Sequence, residues 1–237
     1  MSFHEEATGI YDQLGEDRIH PFIGEAFASP AGGDLRIVAV GINSYVDAGD
    51  WPNRHPGWLA SWFRNGEHRF YPAVWSEAEV MAAAVASAFP QVRFRGKESI
   101  YVTNAVKVYV PGAEGKRSDQ ISDAQLDEYS WVWRAELDLM AKHAVLPHVV
   151  LVFGEPQWRH VWEPLKAGHF DNFLVQKYQP AGEELFHRCN SLSVLGTFGR
   201  QPVLLLRVTH PAARTDRWRA AELAAHPEFG KALAALA

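Results

Sequence analysis

The residues with the types and spacing for polar chemistry fall in a few short stretches. They are Gly41-Ile42-Asn43-Ser44-Tyr45, then Phe63, Thr103-Asn104-Ala105-Val106-Lys107, Phe153-Gly154 and His210-Pro211. An amide such as that of Asn104 carries a donor and an acceptor, so it can read a molecular edge that presents both. An imidazole such as that of His210 can donate a hydrogen bond where negative charge accumulates during a reaction. Each residue also has an ordinary structural reading. Gly41 suits a tight strand exit, Asn43 is the type that forms turns or caps helices, and Asn104 reads as a satisfied amide within a strand. His210-Pro211 reads as a plain strand exit. Taken singly, none of them names a function.

The elements that must position these residues are legible as apolar runs. Four segments read as buried strands: 35–42, 99–108, 148–154 and 202–208. Most are near-continuous in Val, Ile and Leu, the pattern of parallel strands covered on both faces. Helical patterns lie between and after them, at 76–89 (with Ser76 and Glu79 as a capping box), 122–145 (capped by Ser122) and 215–226. Segment 180–200 reads as a hairpin or irregular insertion. Strand alternating with helix predicts one α/β domain over 1–237, a three-layer α/β/α sandwich around a mainly parallel four-stranded sheet. In such a sheet the strand ends gather on one edge, where ligands bind. The segments opening at Asn43, Lys107, Glu155 and Thr209 are therefore expected to share one rim.

In this order the motifs resemble the uracil-DNA glycosylase superfamily. There a Gly-x-Asn or Gly-x-Asp motif ends the first strand, an Asn-bearing strand follows, and a His-Pro loop closes the site. "YVTNAVKVYVPG" is similar to the Thr-Asn-x-x-Lys segment of its bacterial branches, and "WFRNGEHRFY" resembles the mismatch-specific uracil glycosylases. The likeness spans about residues 35–215 and rests on order and spacing. It implies a uracil-DNA glycosylase-like fold and a DNA partner. It further implies that a base leaves the stack and enters a pocket, where its N-glycosidic bond breaks through an oxocarbenium-like sugar.

The resemblance also implies roles. Asn43 positions the attacking water, and His210 donates to the base O2 as charge builds there. Gly41, Ile42, Tyr45, Phe63 and Asn104 contact the base: Phe63 stacks on it, Tyr45 screens C5 against a methyl group, and Asn104 reads the pyrimidine edge. Ser44, Lys107 and Arg214 contact DNA.

The chain departs from the family pattern in specific places. Ser44 stands where the motif usually has Pro, and Ala212 where Ser commonly follows His-Pro. The segment 46–62 is long and aromatic, unlike the short family loop. Uracil is the default base, and a bulky cytosine of phage DNA, hydroxymethylated or glucosylated, is the alternative. The latter would place the protein in antiviral defence rather than repair. Two further readings stay open: a non-catalytic DNA-binding relative, and an unrelated α/β enzyme acting on a small molecule at the rim.

Composition narrows the field. The single cysteine, Cys189, excludes an internal disulfide framework, an iron–sulfur cluster and a multi-thiolate zinc site. The 11 His residues show no paired metal-ligand motif, so no metal is expected. The absence of a phosphate-binding Gly-rich loop argues against a nucleotide cofactor, so no cofactor is expected. With no apolar signal-peptide core and no membrane-length run, the expectation is a cytoplasmic monomer without membrane contact. The net charge of −5 counts against nucleic-acid binding by the molecule as a whole. Residues 200–219, however, carry five Arg and a single acid, Asp216. A solvated helix face is the simpler account of that run.

Overall fold

A computed structural model describes residues 1–16, 18–41, 58–65, 71–88, 90–108, 122–153, 161, 170–178, 191–198 and 201–208. The chain opens with helix α1, Phe3–Asp12, started by a capping box in which Ser2 Oγ accepts from Glu5 N–H and Glu5 accepts from Ser2 N–H. Such a cap typically contributes about 1 kcal/mol. Phe3, Ala7 and Tyr11 repeat at helical spacing, and that face is buried. There follow β1 (Phe22–Ile23), α2 (Glu25–Ala28), β2 (Ile37–Gly41), α3 (Trp58–Asn65), α4 (Tyr71–Ala88), β3 (Ile100–Asn104), α5 (Asp123–Glu128), α6 (Ser130–Lys142), β4 (Val149–Phe153), β5 (Phe170–Tyr178), β6 (Ser191–Phe198) and β7 (Gln201–Val208).

The strands form one seven-stranded sheet in the order β1-β3-β2-β4-β7-β6-β5. Its middle is the parallel quartet β3-β2-β4-β7, made of the segments whose apolar runs read as strands. The expected count of four falls short of the whole sheet because antiparallel strands extend both sides. β1 pairs with β3, and the β5–β6 hairpin adds to β7. β1 has two residues and cannot show a period, while β5 reads "FDNFLVQKY" with no clean alternation. β6 falls inside the segment expected to be a hairpin or an insertion.

Successive residues of the parallel strands point to opposite faces. On one face Ile37, Ala39, Val102 and Leu151 pack with Phe63 of α3 and with Ala78, Met81 and Val85 of α4. On the other Val38, Val40, Val150 and Leu205 pack with Phe3, Phe27, Trp133 and Leu137 from α1, α2 and α6. Helices thus cover both faces in three layers, which is why β2 and β4 are apolar on both sides. Each buried Val, Leu or Ile contributes about 1.5–3 kcal/mol.

Two helix boundaries differ from expectation. α4 begins at Tyr71, so Ser76 is interior and does not cap it; Pro72 falls in the first turn, where a missing N–H leaves no bond unmade. The segment 122–145 is broken at Tyr129, whose backbone (φ −103°, ψ 6°) leaves the helical region between α5 and α6. Ser122 caps α5 as expected, in a capping box with Gln125. The expected helix at 215–226 lies outside the described residues.

The quartet sets the place of a site. From β2 the chain passes to β3 on one side, then returns across β2 to β4 on the other. In open α/β sheets such a reversal marks where ligands bind, beyond the carboxyl ends of the two strands, here β2 and β4. Thr103, Val40, Val152 and Arg207 form one register row across the quartet.

Candidate functional site

Gly41 and Asn104 end their strands as register partners, and Ala105 N–H donates to Gly41 C=O at 2.8 Å. The contact is close: a Cβ on Gly41 would stand 2.5 Å from Asn104 Oδ1 and would turn that amide aside. The Asn104 amide therefore lies against the β2 strand end, and the structure brings these two predicted base-binding residues together. Asn104 is half-buried, at the boundary between core and rim.

Below Asn104 the chain turns through Ala105 and Val106, and Lys107 folds back into the core. This corrects the expectation that Lys107 meets DNA. Lys107 is 2% exposed and its Nζ lies 2.7 Å from Glu136 Oε2 and 2.6 Å from Thr103 Oγ1. An ammonium group stays buried only when paired and hydrogen-bonded, and here the aromatic faces of Tyr11 and Trp133 add to its surroundings. Tyr101 O–H donates to Glu136 Oε1 at 2.5 Å, and Tyr11 O–H donates to the same oxygen. Burial first, and the Glu136 charge second, push both phenols well above their ordinary range, so they remain donors. Burial lowers the Lys107 pKa, against the opposing pull of Glu136.

Phe63 is the second correction. Its side chain has no exposed surface, and its ring packs on Phe22 with centroids 4.5 Å apart. Lys97 Nζ donates to the Phe63 and Arg64 carbonyls, holding the last turn of α3. With that ring enclosed in the core, no face is open for an extruded base.

A cavity of about 10 Å³ touches Val40, Asn104, Lys107, Trp133 and Val161. It has room for one water at most and is too small for an organic ligand.

No protein-family model matches the chain, and no curated protein matches it.

Ile42, Asn43, Ser44, Tyr45, His210 and Arg214 lie outside the described residues. Asn43 stands two positions beyond Gly41, and His210 two positions beyond Val208, the last residue of β7. Among the described residues, no group of three or more His, Cys, Asp or Glu could hold a metal ion, and no helix is long and apolar enough to cross a membrane.

Sequence reasoning missed Glu136, Tyr11 and Tyr101. A signal for Glu136 was present: it falls among Val132, Trp133, Leu137 and Met140 on the buried stripe of α6. A carboxylate inside an apolar stripe implies a buried partner. No comparable signal marked the tyrosines, whose burial in α1 and β3 reads as ordinary core.

Proposed function

We propose that this chain is a DNA glycosylase that accepts a flipped pyrimidine, uracil by default, at the carboxyl edge of the parallel quartet and hydrolyses its N-glycosidic bond. One observation carries the reading. Val40, Val152 and Arg207 share a register row, so Asn43 and His210 each follow that row by three residues in sequence, past the ends of the two strands that flank β4. Two interstrand spacings of about 4.8 Å separate β2 from β7, a gap that suits a base held between an amide and an imidazole. Asn104 reaches the same edge beside Gly41.

In this reading Asn104 reads the pyrimidine edge, its NH₂ donating to O4 and its carbonyl accepting from N3–H. Tyr45 stands against C5 and excludes a methyl group. The C1′–N bond breaks with its electron pair moving into the base, where His210 donates to O2. Water oriented by Asn43 adds its oxygen to C1′ and loses a proton to solvent, and the departing base anion takes up a proton from solvent. The products are the free base and an abasic sugar.

The test offers uracil, thymine, cytosine, 5-hydroxymethylcytosine and its glucosylated form in matched oligonucleotides and scores alkali-labile sites. Uracil alone is expected to be released. Asn43→Ala or His210→Ala is expected to slow release by about a hundredfold or more, the scale of one lost electrostatic group, while binding to an abasic product survives. Release of only the bulky cytosines would replace uracil as the substrate. No release from any substrate would overturn the glycosylase reading and favour a non-catalytic relative.

A further inference from the structure

Lys107 sits in a motif that suggests a DNA contact, yet it spends its charge inside the molecule. Its ammonium bonds Thr103 Oγ1 at 2.6 Å, four residues back, closing a ring that contains Asn104, Ala105 and Val106. The ring is anchored from three directions. Glu136 holds Lys107 Nζ from α6 and accepts from Tyr101 within β3, and Tyr11 reaches Glu136 from α1. At the backbone, Ile19 N–H donates to Lys107 C=O at 2.9 Å, and Ala105 N–H donates to Gly41 C=O at 2.8 Å. The Asn104 side-chain amide lies against the same β2 strand end.

We propose that Lys107 and Glu136 are positioning residues: a buried ion pair clamps the β3 exit turn and so fixes the Asn104 amide against the β2 strand end. The inference deepens the glycosylase reading and rests on it for its consequence. A shift of the turn would carry the Asn104 amide with it, and an amide displaced or rotated from its place mismatches the base edge. A charged clamp with several bonds has one low-energy arrangement, because a broken bond leaves a buried charge unpaired. Hydrogen-bonded supporting groups of this kind are one way a recognising group is held in its working geometry.

The experiment compares Lys107→Met/Glu136→Gln and Glu136→Gln with the parent chain. The double variant removes both charges while keeping shape and an acceptor for the tyrosines; the single change lies 32 residues from Asn104 in sequence. The primary readout is the Asn104 side-chain NH₂ pair by NMR, assigned through Asn104→Gln. One sharp pair is expected in the parent, and broadened or doubled signals in both variants, with the amide signals of Val38 and Val150 unmoved. The secondary readout is release of uracil from DNA under single-turnover conditions, expected to fall tenfold or more with the variants fully folded by thermal melting. A core role alone would lower activity only in proportion to the unfolded fraction. A sharp, unshifted Asn104 pair in either folded variant overturns the clamp. If the double variant does not fold, the Glu136→Gln chain decides. If the parent releases no base, the glycosylase reading falls, and the Asn104 signals alone still decide the clamp.

Discussion

Gly24 and Gly41 both lack room for a methyl group, but the obstacles differ in kind. At Gly24 an added Cβ would stand 2.4 Å from the Glu98 carbonyl oxygen and 2.6 Å from Glu98 Cα. Those are backbone atoms, held by Gly24 N–H donating to Ile100 C=O at 2.9 Å. At Gly41 the obstacle is Asn104 Oδ1, the end of a rotatable side chain. Gly24→Ala is therefore expected to cost about 1–3 kcal/mol, as overpacking against fixed atoms does. Gly41→Ala is expected to cost less than about 1 kcal/mol, because the amide can turn aside. Yet it displaces the group proposed to read the base, and release of uracil is expected to fall by about a hundredfold, the scale of one lost recognising contact. Chemical denaturation and single-turnover release, measured together, separate the two. A Gly41→Ala chain that is stable and fully active would remove Asn104 from the site.

At the scale of elements, the amino ends of β2, β4 and β7 are tied by a second polar cluster, opposite the rim. His148 Nδ1 accepts from Arg36 N–H at 3.0 Å, while the Arg36 guanidinium donates to Leu146 C=O and to Gln201 Oε1. Burial, with Arg36 adding to it, lowers the His148 pKa from 6.5 to about 4. A proton on Nδ1 would also remove the acceptor. The imidazole is thus neutral in the folded chain, and below pH 6.5 the unfolded chain binds the extra proton. The stability it contributes is complete above about pH 6.5 and is lost as pH falls toward 4. Between pH 7 and 4.5 the loss is expected to be on the order of 2–3 kcal/mol. His148→Asn keeps an acceptor for Arg36 N–H without a titrating ring. Denaturation midpoints should therefore fall less steeply over this range in that variant; an unchanged slope would clear His148 of the effect.

The same elements show what a sequence can and cannot disclose. The parallel quartet was legible because strands covered on both faces must be apolar throughout, as Ile37–Gly41 and Val149–Phe153 are. The edge strands β1 and β5 were not, since an edge strand depends on a neighbour's free backbone rather than on its own pattern. The site divided in the same way. Gly41 and Asn104 meet because parallel pairing aligns their strand ends, which follows from the quartet. Lys107 misled because the partner that buries it, Glu136, is 29 residues away on another element. Phe63 misled because a motif position says nothing about whether Phe22 has closed over the ring.

For the molecule as a whole, 28 acidic against 23 basic residues leave a net charge of −5, so the proposed binding of DNA requires a local basic face. Each phosphate neutralised by a cation releases counterions, and the logarithm of affinity falls with the logarithm of salt with slope about −0.9 per contact on duplex DNA. The slope therefore counts the cations that reach phosphate. Lys107, 2% exposed and paired with Glu136, is removed from that count by its burial. Lys107→Met/Glu136→Gln is expected to leave the salt slope unchanged even where affinity drops, because a misplaced Asn104 affects base capture at every salt concentration. Arg214 lies just beyond the proposed base-contacting His210, and Arg214→Gln is expected to reduce the slope by about one. Fluorescence anisotropy of a labelled duplex carrying a non-hydrolysable 2′-fluoro-2′-deoxyuridine, titrated from low to moderate salt, measures both. A slope lowered by about one in the Lys107 variant would mean that its ammonium leaves Glu136 for DNA, and that the ion pair opens when DNA binds.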